Sequence, residues 1–302
     1  MKAGLDVGAS VRQRLLNRAR NEGRAFQEVL QYFAMERFLY RLASSPHADR
    51  FILKGALLLT AWKAPLSRPT MDIDFAGKSS NRLEHVRQIV ADVCGTAVAN
   101  DGVVFAADAI EVSRIKEDAQ YEGVRVRFHA VIARARVPMQ LDIGFDDVIT
   151  PAPVPLEYPV LLDFPAPTLH AYPKETVVAE KLEALTTLGL LNSRMKDYYD
   201  LVLLSRLYAF DGKVLANAVA ATFGHRGTAI EAEPAGLTAA FYRDPAKVTQ
   251  WRAFLKRSHL TDTAASLEET VRDLRTFAMP VLASAVSGFA KVWPPGGPWA
   301  DR

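Results

Sequence analysis

Met71-Asp72-Ile73-Asp74-Phe75 alternates apolar and acidic side chains. The strand period of two puts Met71, Ile73 and Phe75 on one face and Asp72 and Asp74 on the other. The apolar face can seat the strand in a core while two carboxylates project together. Adjacent like charges repel, so the pair calls for a compensating cation or for good solvation. Oxygen-only ligands favour a hard ion such as Mg²⁺ (or Mn²⁺), which keeps substrate phosphates and water in its shell. The plain alternative is an exposed strand end with two solvated acids.

The stretch Val137–Phe145 repeats the pattern. Val137, Met139, Leu141, Ile143 and Phe145 alternate, leaving Gln140 and Asp142 on the other face. A third carboxylate on a strand beside Asp72 and Asp74 would complete a two-metal site. Asp146 and Asp147 are further candidates, though their place at the strand end suits a turn. Upstream, Lys54-Gly55 stands where a strand hands over to a helix, and glycine lets backbone approach a phosphate closely. A Gly-led helix, an Asp-x-Asp strand and a later strand Asp follow one another as they do in polymerase-β-like nucleotidyltransferases.

Working outward, Ser10 is the expected N-cap of a first helix to about Asn21, and a second runs from Arg24 to about Ala43. A compact helix is expected over Ala56–Trp62, and Pro65 and Pro69 bracket a loop. Ser79-Ser80-Asn81 should cap a helix through Val93. Val103–Phe105, Ile110–Ile115, Val124–Ile132 and Val137–Phe145 are β-branched, alternating runs, read as strands. Six prolines between Pro151 and Pro167 mark the expected domain boundary. Beyond Pro173 helices are expected over Lys174–Leu188, Met195–Leu207, Lys213–Phe223, Ala246–Arg257 and Leu267–Val286, and VWPPGGPWADR reads as a loose tail. The expected fold class is α+β: a helical lead-in (1–45), a nucleotidyltransferase core with a mixed sheet (46–168), and a helical C-terminal domain (169–302).

In the helical part, KETVVAEKLEAL (174–185) sets Lys174 and Lys181 about two turns apart on one face. RMKDYYDL (194–201) sets Arg194 one turn from Asp197, and Lys196 one turn from Asp200. Taken alone these are as readily surface charge pairs. Taken together, KGA, SRPTMDID, QLDIGFD, KETVVAEKLEAL and RMKDYYDL resemble the AbiEii/AbiGii toxin nucleotidyltransferases of type IV toxin–antitoxin systems, a group that includes MenT-like toxins. The resemblance covers about Phe51 to Leu204. It implies a phosphate-binding turn at Lys54 and Gly55, metal-holding acids at Asp72 and Asp74, and nucleotide contacts from Thr70 and Arg68. It also implies a triphosphate-neutralising Lys181, an acid at Asp197 and a further contact from Asp200. Asp142 or Asp197 would activate the acceptor hydroxyl. The family usually carries Gly-Gly after the lysine, where this chain has Gly55-Ala56. Alanine limits φ at a position where a left-handed turn would otherwise be expected.

The chain's 302 residues are 49% hydrophobic and 24% charged, which excludes a disordered polymer. No apolar run reaches the roughly 18 residues of a spanning helix, and the first residues lack a signal peptide's apolar core. One cysteine excludes a disulfide scaffold and suits the cytoplasm. The net charge of +3 names no partner. Local patches could hold an RNA backbone: Arg125, Arg127 and His129 on one strand face, Arg134 and Arg136 after it, and Arg12, Arg14, Arg18, Arg20 and Arg24 near the start. The resemblance implies transfer of NMP from an NTP to RNA, chiefly the 3′ end of tRNA, and a cognate DNA-binding antitoxin. The alternatives are a small-molecule nucleotidyltransferase and a non-catalytic interaction protein.

Overall fold

The alternation of residues 124–145 becomes a long antiparallel hairpin, and a mixed sheet is built on it. The computed structural model describes residues 6–64, 68–117, 121–261, 264–285 and 289–302. Pro65 and Val286 lie outside these residues. The chain divides into two units, Met1–Asp147 with Val154–Ala171, and Val148–Pro153 with Tyr172–Arg302.

In the first unit the order is α1 (Val7–Glu22), α2 (Phe26–Ala43), β1 (Phe51–Lys54), α3 (Leu57–Ala61), β2 (Ile73–Gly77) and α4 (Leu83–Cys94). It continues with β3 (Val103–Phe105), β4 (Glu111–Glu117), β5 (Tyr121–Ile132), β6 (Ala135–Phe145), β7 (Val154–Glu157) and β8 (Thr168–Ala171). The eight strands lie in the order β3-β5-β6-β2-β1-β8-β7, with β4 also paired to β5. β2 runs parallel to β6 and β8 parallel to β1, while β1–β2 and β5–β6 are antiparallel. This is the expected α+β class with a mixed sheet.

One sheet face is apolar. Val124, Val126 and Phe128 of β5 and Val137, Met139, Leu141 and Ile143 of β6 are buried there. Helix α2 covers this face, with Phe38 packed on Phe105 and Phe128 at 5.8 and 5.5 Å between ring centroids. The opposite face carries the polar alternates and is therefore the face available for chemistry.

Helix α2 is buried on most of its circumference and carries charge into the interior. Arg41 grips Asp101 with two hydrogen bonds of 2.8 and 3.0 Å, and Arg37 Nε adds a third at 2.9 Å. Glu36 accepts the Leu161 N–H at 2.7 Å, and Arg37 donates to the Pro165 carbonyl at 3.0 Å. The proline-crowded stretch is thereby fastened to α2, and its strands β7 and β8 extend the sheet.

The second unit comprises α5 (Lys174–Leu188), α6 (Met195–Leu207), β9 (Phe210–Asp211), α7 (Gly212–Arg226), α8 (Ala239–Tyr242), α9 (Pro245–Arg257), α10 (Leu267–Ser284), β10 (Lys291–Trp293) and β11 (Ala300–Asp301). Helix α10 packs on α6 and α7. Among the described residues no helix is long and apolar enough to cross a membrane.

Three local expectations are corrected. Asp6, not Ser10, caps α1, its carboxylate accepting the Ala9 N–H at 3.1 Å, and Ser10 lies inside the helix. Helix α4 starts after Arg82 with no side-chain cap, so Ser79-Ser80-Asn81 form its approach rather than its cap. The C-terminal stretch is not loose. It folds back as β10 and β11, with Trp293 donating to the Ser205 carbonyl at 2.6 Å and Trp299 to the Phe277 carbonyl at 2.8 Å. The area buried by two indoles, each with its N–H satisfied, outweighs the turn-forming bias of the intervening Pro and Gly.

Candidate active site

Strand register assembles the site. Lys54 of β1 lies opposite Asp74 of β2, Asp74 opposite Asp142 of β6, and Asp142 opposite Arg125 of β5. Paired residues share a face, so one row across four strands reads Arg125, Asp142, Asp74, Lys54. Two acids stand between two cations, on the face opposite α2. The neighbouring row brings Arg127 opposite Gln140.

Asp72 joins from the approach to β2. One carboxylate oxygen each from Asp72, Asp74 and Asp142 lie within 4.8 Å of one another. All three side chains are partly accessible. Such an oxygen-only, multiply charged donor set suits a hard divalent cation.

Neighbouring groups fix each acid. Thr70 Oγ1 donates to Asp72 at 2.5 Å, and the Thr70 N–H is in turn held by the Tyr32 hydroxyl at 3.2 Å. Thr70 is buried, so its hydroxyl orients the acid from below. Gln31 of α2 donates to the carbonyls of Met71 (3.3 Å) and Pro138 (2.8 Å), tying the approaches to β2 and β6 together. Gly55 backs Asp74. Its φ is +73°, and a Cβ there would fall 1.9 Å from Asp74 Oδ2. Ala56, by contrast, has φ −70° and ψ −25°, ordinary right-handed geometry. The left-handed residue of this turn is Gly55 alone, so alanine in place of the family's second glycine costs nothing in backbone strain.

The cations are committed. Arg125 grips Asp142 through Nε (2.8 Å) and Nη2 (2.6 Å), and Gln140 adds a 3.3 Å contact. Lys54 donates to Asp147 at 2.7 Å above Gly144, whose Cβ would meet both. The two residues read as turn formers therefore divide. Asp146 takes the left-handed turn conformation at φ +67°, and Asp147 is a buried counter-ion. Arg68 is half-buried just before Thr70.

In the second unit Lys181 of α5 sits between two acids of α6. Its Nζ is 2.5 Å from Asp197 Oδ1 and 3.0 Å from Asp200 Oδ2, both acids being buried. The R-x-K-D-x-x-D run thus turns its carboxylates inward to a lysine on another helix. Its arrangement is more than a solvated i,i+4 ladder. Lys174 is spent locally, on Glu175 at 2.8 Å and over the Phe210 ring.

The arginines suggested for RNA separate into classes. Arg125 is paired with Asp142 of the acidic triad. Arg127 contacts Gln140 at 3.2 Å, Arg136 contacts the His129 ring at 3.1 Å, and Arg134 is exposed beside the hairpin turn. With about 3.3 Å per strand residue, the six positions from Asp142 to Arg136 make a basic track roughly 20 Å long. Three of the α1 arginines are engaged within the protein, Arg12 over Phe26, Arg14 over Phe164, and Arg18 with the Leu161 carbonyl and Glu22, while Arg20 is exposed.

Gln31, Tyr32 and Arg125's role were not foreseeable from spacing, because each acts across strands or helices distant in sequence. A glutamine amid the apolar run of α2 was the one available hint.

The family model described as nucleotidyl transferase AbiEii toxin, type IV TA system, matches residues 37–276. No curated protein matches the sequence. Among solved structures, JHP933 from Helicobacter pylori aligns with a TM-score of 0.50 at 18% identity, covering 86% of this chain and 94% of its own. A proposed nucleotidyltransferase from H. pylori aligns with a TM-score of 0.47 at 17% identity, covering 86% of this chain and 97% of its own.

Proposed function

The chain belongs to the AbiEii family of nucleotidyltransferase toxins of type IV toxin–antitoxin systems, and from that premise we propose that it transfers NMP from an NTP to the 3′ end of tRNA and so blocks translation. The observation that carries the reading is the convergence of Asp72, before β2, with Asp74 and Asp142 on β2 and β6, within 4.8 Å and beside the Gly55 turn.

The three carboxylates would hold Mg²⁺ or Mn²⁺. A divalent cation there supplies charge neutralisation for the triphosphate and Lewis acidity at the transferred phosphoryl group. The chain's own residues do the positioning on which phosphoryl transfer chiefly depends. Thr70 and Tyr32 fix Asp72, Gly55 fixes Asp74, and Arg125 fixes Asp142. The family resemblance assigns Lys54, Gly55, Arg68 and Thr70 to phosphate contacts and Lys181 to triphosphate charge, and within its own unit the Lys181 ammonium is held by Asp197 and Asp200. The acceptor hydroxyl attacks the α-phosphorus, the bond to the bridging β-phosphate oxygen breaks, and pyrophosphate leaves. The hydroxyl proton passes to Asp142 or Asp197, each held in place by a cation. The track of Arg127, Arg134 and Arg136 supports a polyanionic acceptor. A cognate DNA-binding antitoxin would restrain the enzyme.

Purified protein with Mg²⁺ and labelled NTPs should label and extend bulk tRNA, and binding should weaken steeply with salt. Unlabelled tRNA overturns the acceptor. A salt-insensitive reaction with a metabolite pool would assign a small-molecule acceptor instead.

A further inference from the structure

Arg125 stands inside the acidic site without belonging to any motif that points to the chemistry. Its fork satisfies both oxygens of Asp142, at 2.8 and 2.6 Å, in the protein alone. Its neighbour on the same strand face, Arg127, meets a neutral glutamine instead. A guanidinium is thus aimed at the third carboxylate of a triad whose donor atoms already crowd within 4.8 Å.

We infer that Arg125 is a positioning residue that sets the affinity of this triad for its divalent cation, an inference that rests on the metal reading above. Two effects combine. The planar fork fixes the Asp142 carboxylate in one orientation, which an ammonium could not do as well. Its charge also cancels one of three negative charges. Oxygen-ligand sites bind divalent ions more tightly as ligand charge rises, so the guanidinium holds the free protein's affinity down. Arg125 is 29% and Asp142 15% exposed, so solvent screens this pair only in part. The consequence is ordered loading: the cation is held firmly when a triphosphate contributes its own oxygens, and weakly without one.

The test is Mn²⁺ binding to the full chain without nucleotide, by calorimetry or electron paramagnetic resonance. R125Q should bind Mn²⁺ about tenfold more tightly than wild type, because a positive charge close to the ion is gone. R125K, which keeps the charge and loses the fork, should stay within about threefold of wild type on the same reasoning. A merely structural role predicts the opposite sign, since a damaged site loses metal. R125Q binding equal to or weaker than wild type overturns the inference, as does R125K tightening as much as R125Q. R125M gives the same readout if R125Q does not fold by circular dichroism. Binding that survives both D72N and D74N overturns the metal reading itself, whichever way the Arg125 variants behave.

Discussion

Replacing Gly55 by alanine should cost activity far out of proportion to stability. The residue sits at φ +73°, where an L side chain pays roughly 1–2 kcal/mol. The added methyl would also lie 1.9 Å from Asp74 Oδ2 and 2.6 Å from its Cγ. Asp74 is held by strand pairing on both sides, so its carboxylate must swing aside by the order of 1 Å. Misplacement on that scale costs about a hundredfold in rate. The fold should lose about 2–3 kcal/mol in all, or roughly 5–10 °C in melting temperature. The assay pairs a thermal melt with NMP transfer from a labelled NTP to tRNA at saturating Mg²⁺. A56G is the companion: Ala56 is right-handed already and is the N-cap of α3, so glycine there should cost less than about 1 kcal/mol and leave turnover near wild type. A folded G55A protein with activity within about twofold of wild type would refute the reasoning.

Three further outcomes are expected. Burial pushes Glu36 up to about 7, against the Leu161 N–H and Arg37, which favour its charged form. Because the folded protein holds that proton more tightly than the unfolded chain, Glu36's contribution to stability is fully present below the ordinary carboxylate range and is lost as pH rises through 7. Relative to E36Q, the wild type should lose up to about 3 kcal/mol from pH about 4.5 to about 8, and parallel urea-stability curves would contradict this. D101A leaves Arg37 and Arg41 in the interior without their shared carboxylate and should cost about 3–5 kcal/mol by chemical denaturation. K181M removes the cation between buried Asp197 and Asp200 and should destabilise by about 3 kcal/mol or more. Adding D197N and D200N should restore the melt without restoring transfer; activity that returns with the melt would make Lys181 purely structural.

Much of the site was legible because strand alternation is a local signal. Asp74 and Asp142 lie on the faces that period two assigns them, and Ile73, Phe75, Leu141 and Ile143 fill the core, whereas β2 begins only at Ile73, so that Asp72 enters from its approach and Met71, expected on the core face, is exposed. Helices α5 and α6 begin and end where their patterns do, since Pro173 and the following Gly and Asn punctuate them. What stayed hidden is set by pairing between distant segments. Nothing in Arg125's surroundings in sequence says that register will lay it against Asp142, and nothing near Gln31 says that it will clasp two strand approaches. The tail misled for a related reason: Pro-Pro-Gly-Gly-Pro predicts turns correctly, while the docking of the buried Trp293 and half-buried Trp299 depends on Ser205 and Phe277 far upstream. Ala56 is the converse case, where the chain's own backbone geometry answers a question that the departure from Gly-Gly raised.

The row of Arg125, Asp142, Asp74 and Lys54 also carries an order of assembly. Its members appear during synthesis in the order Lys54, Asp74, Arg125, Asp142, yet Asp142 stands in the middle of the finished row. A nascent chain that has emerged only through β5 holds two of the three acids, and the edge of β2 that must receive β6 is still bare. The same pairing that buries Leu141 and Ile143 delivers Asp142, so a chain that has not sealed its core has no complete carboxylate triad either. Products ending before Ala135 would carry the Asp-x-Asp motif without the third carboxylate.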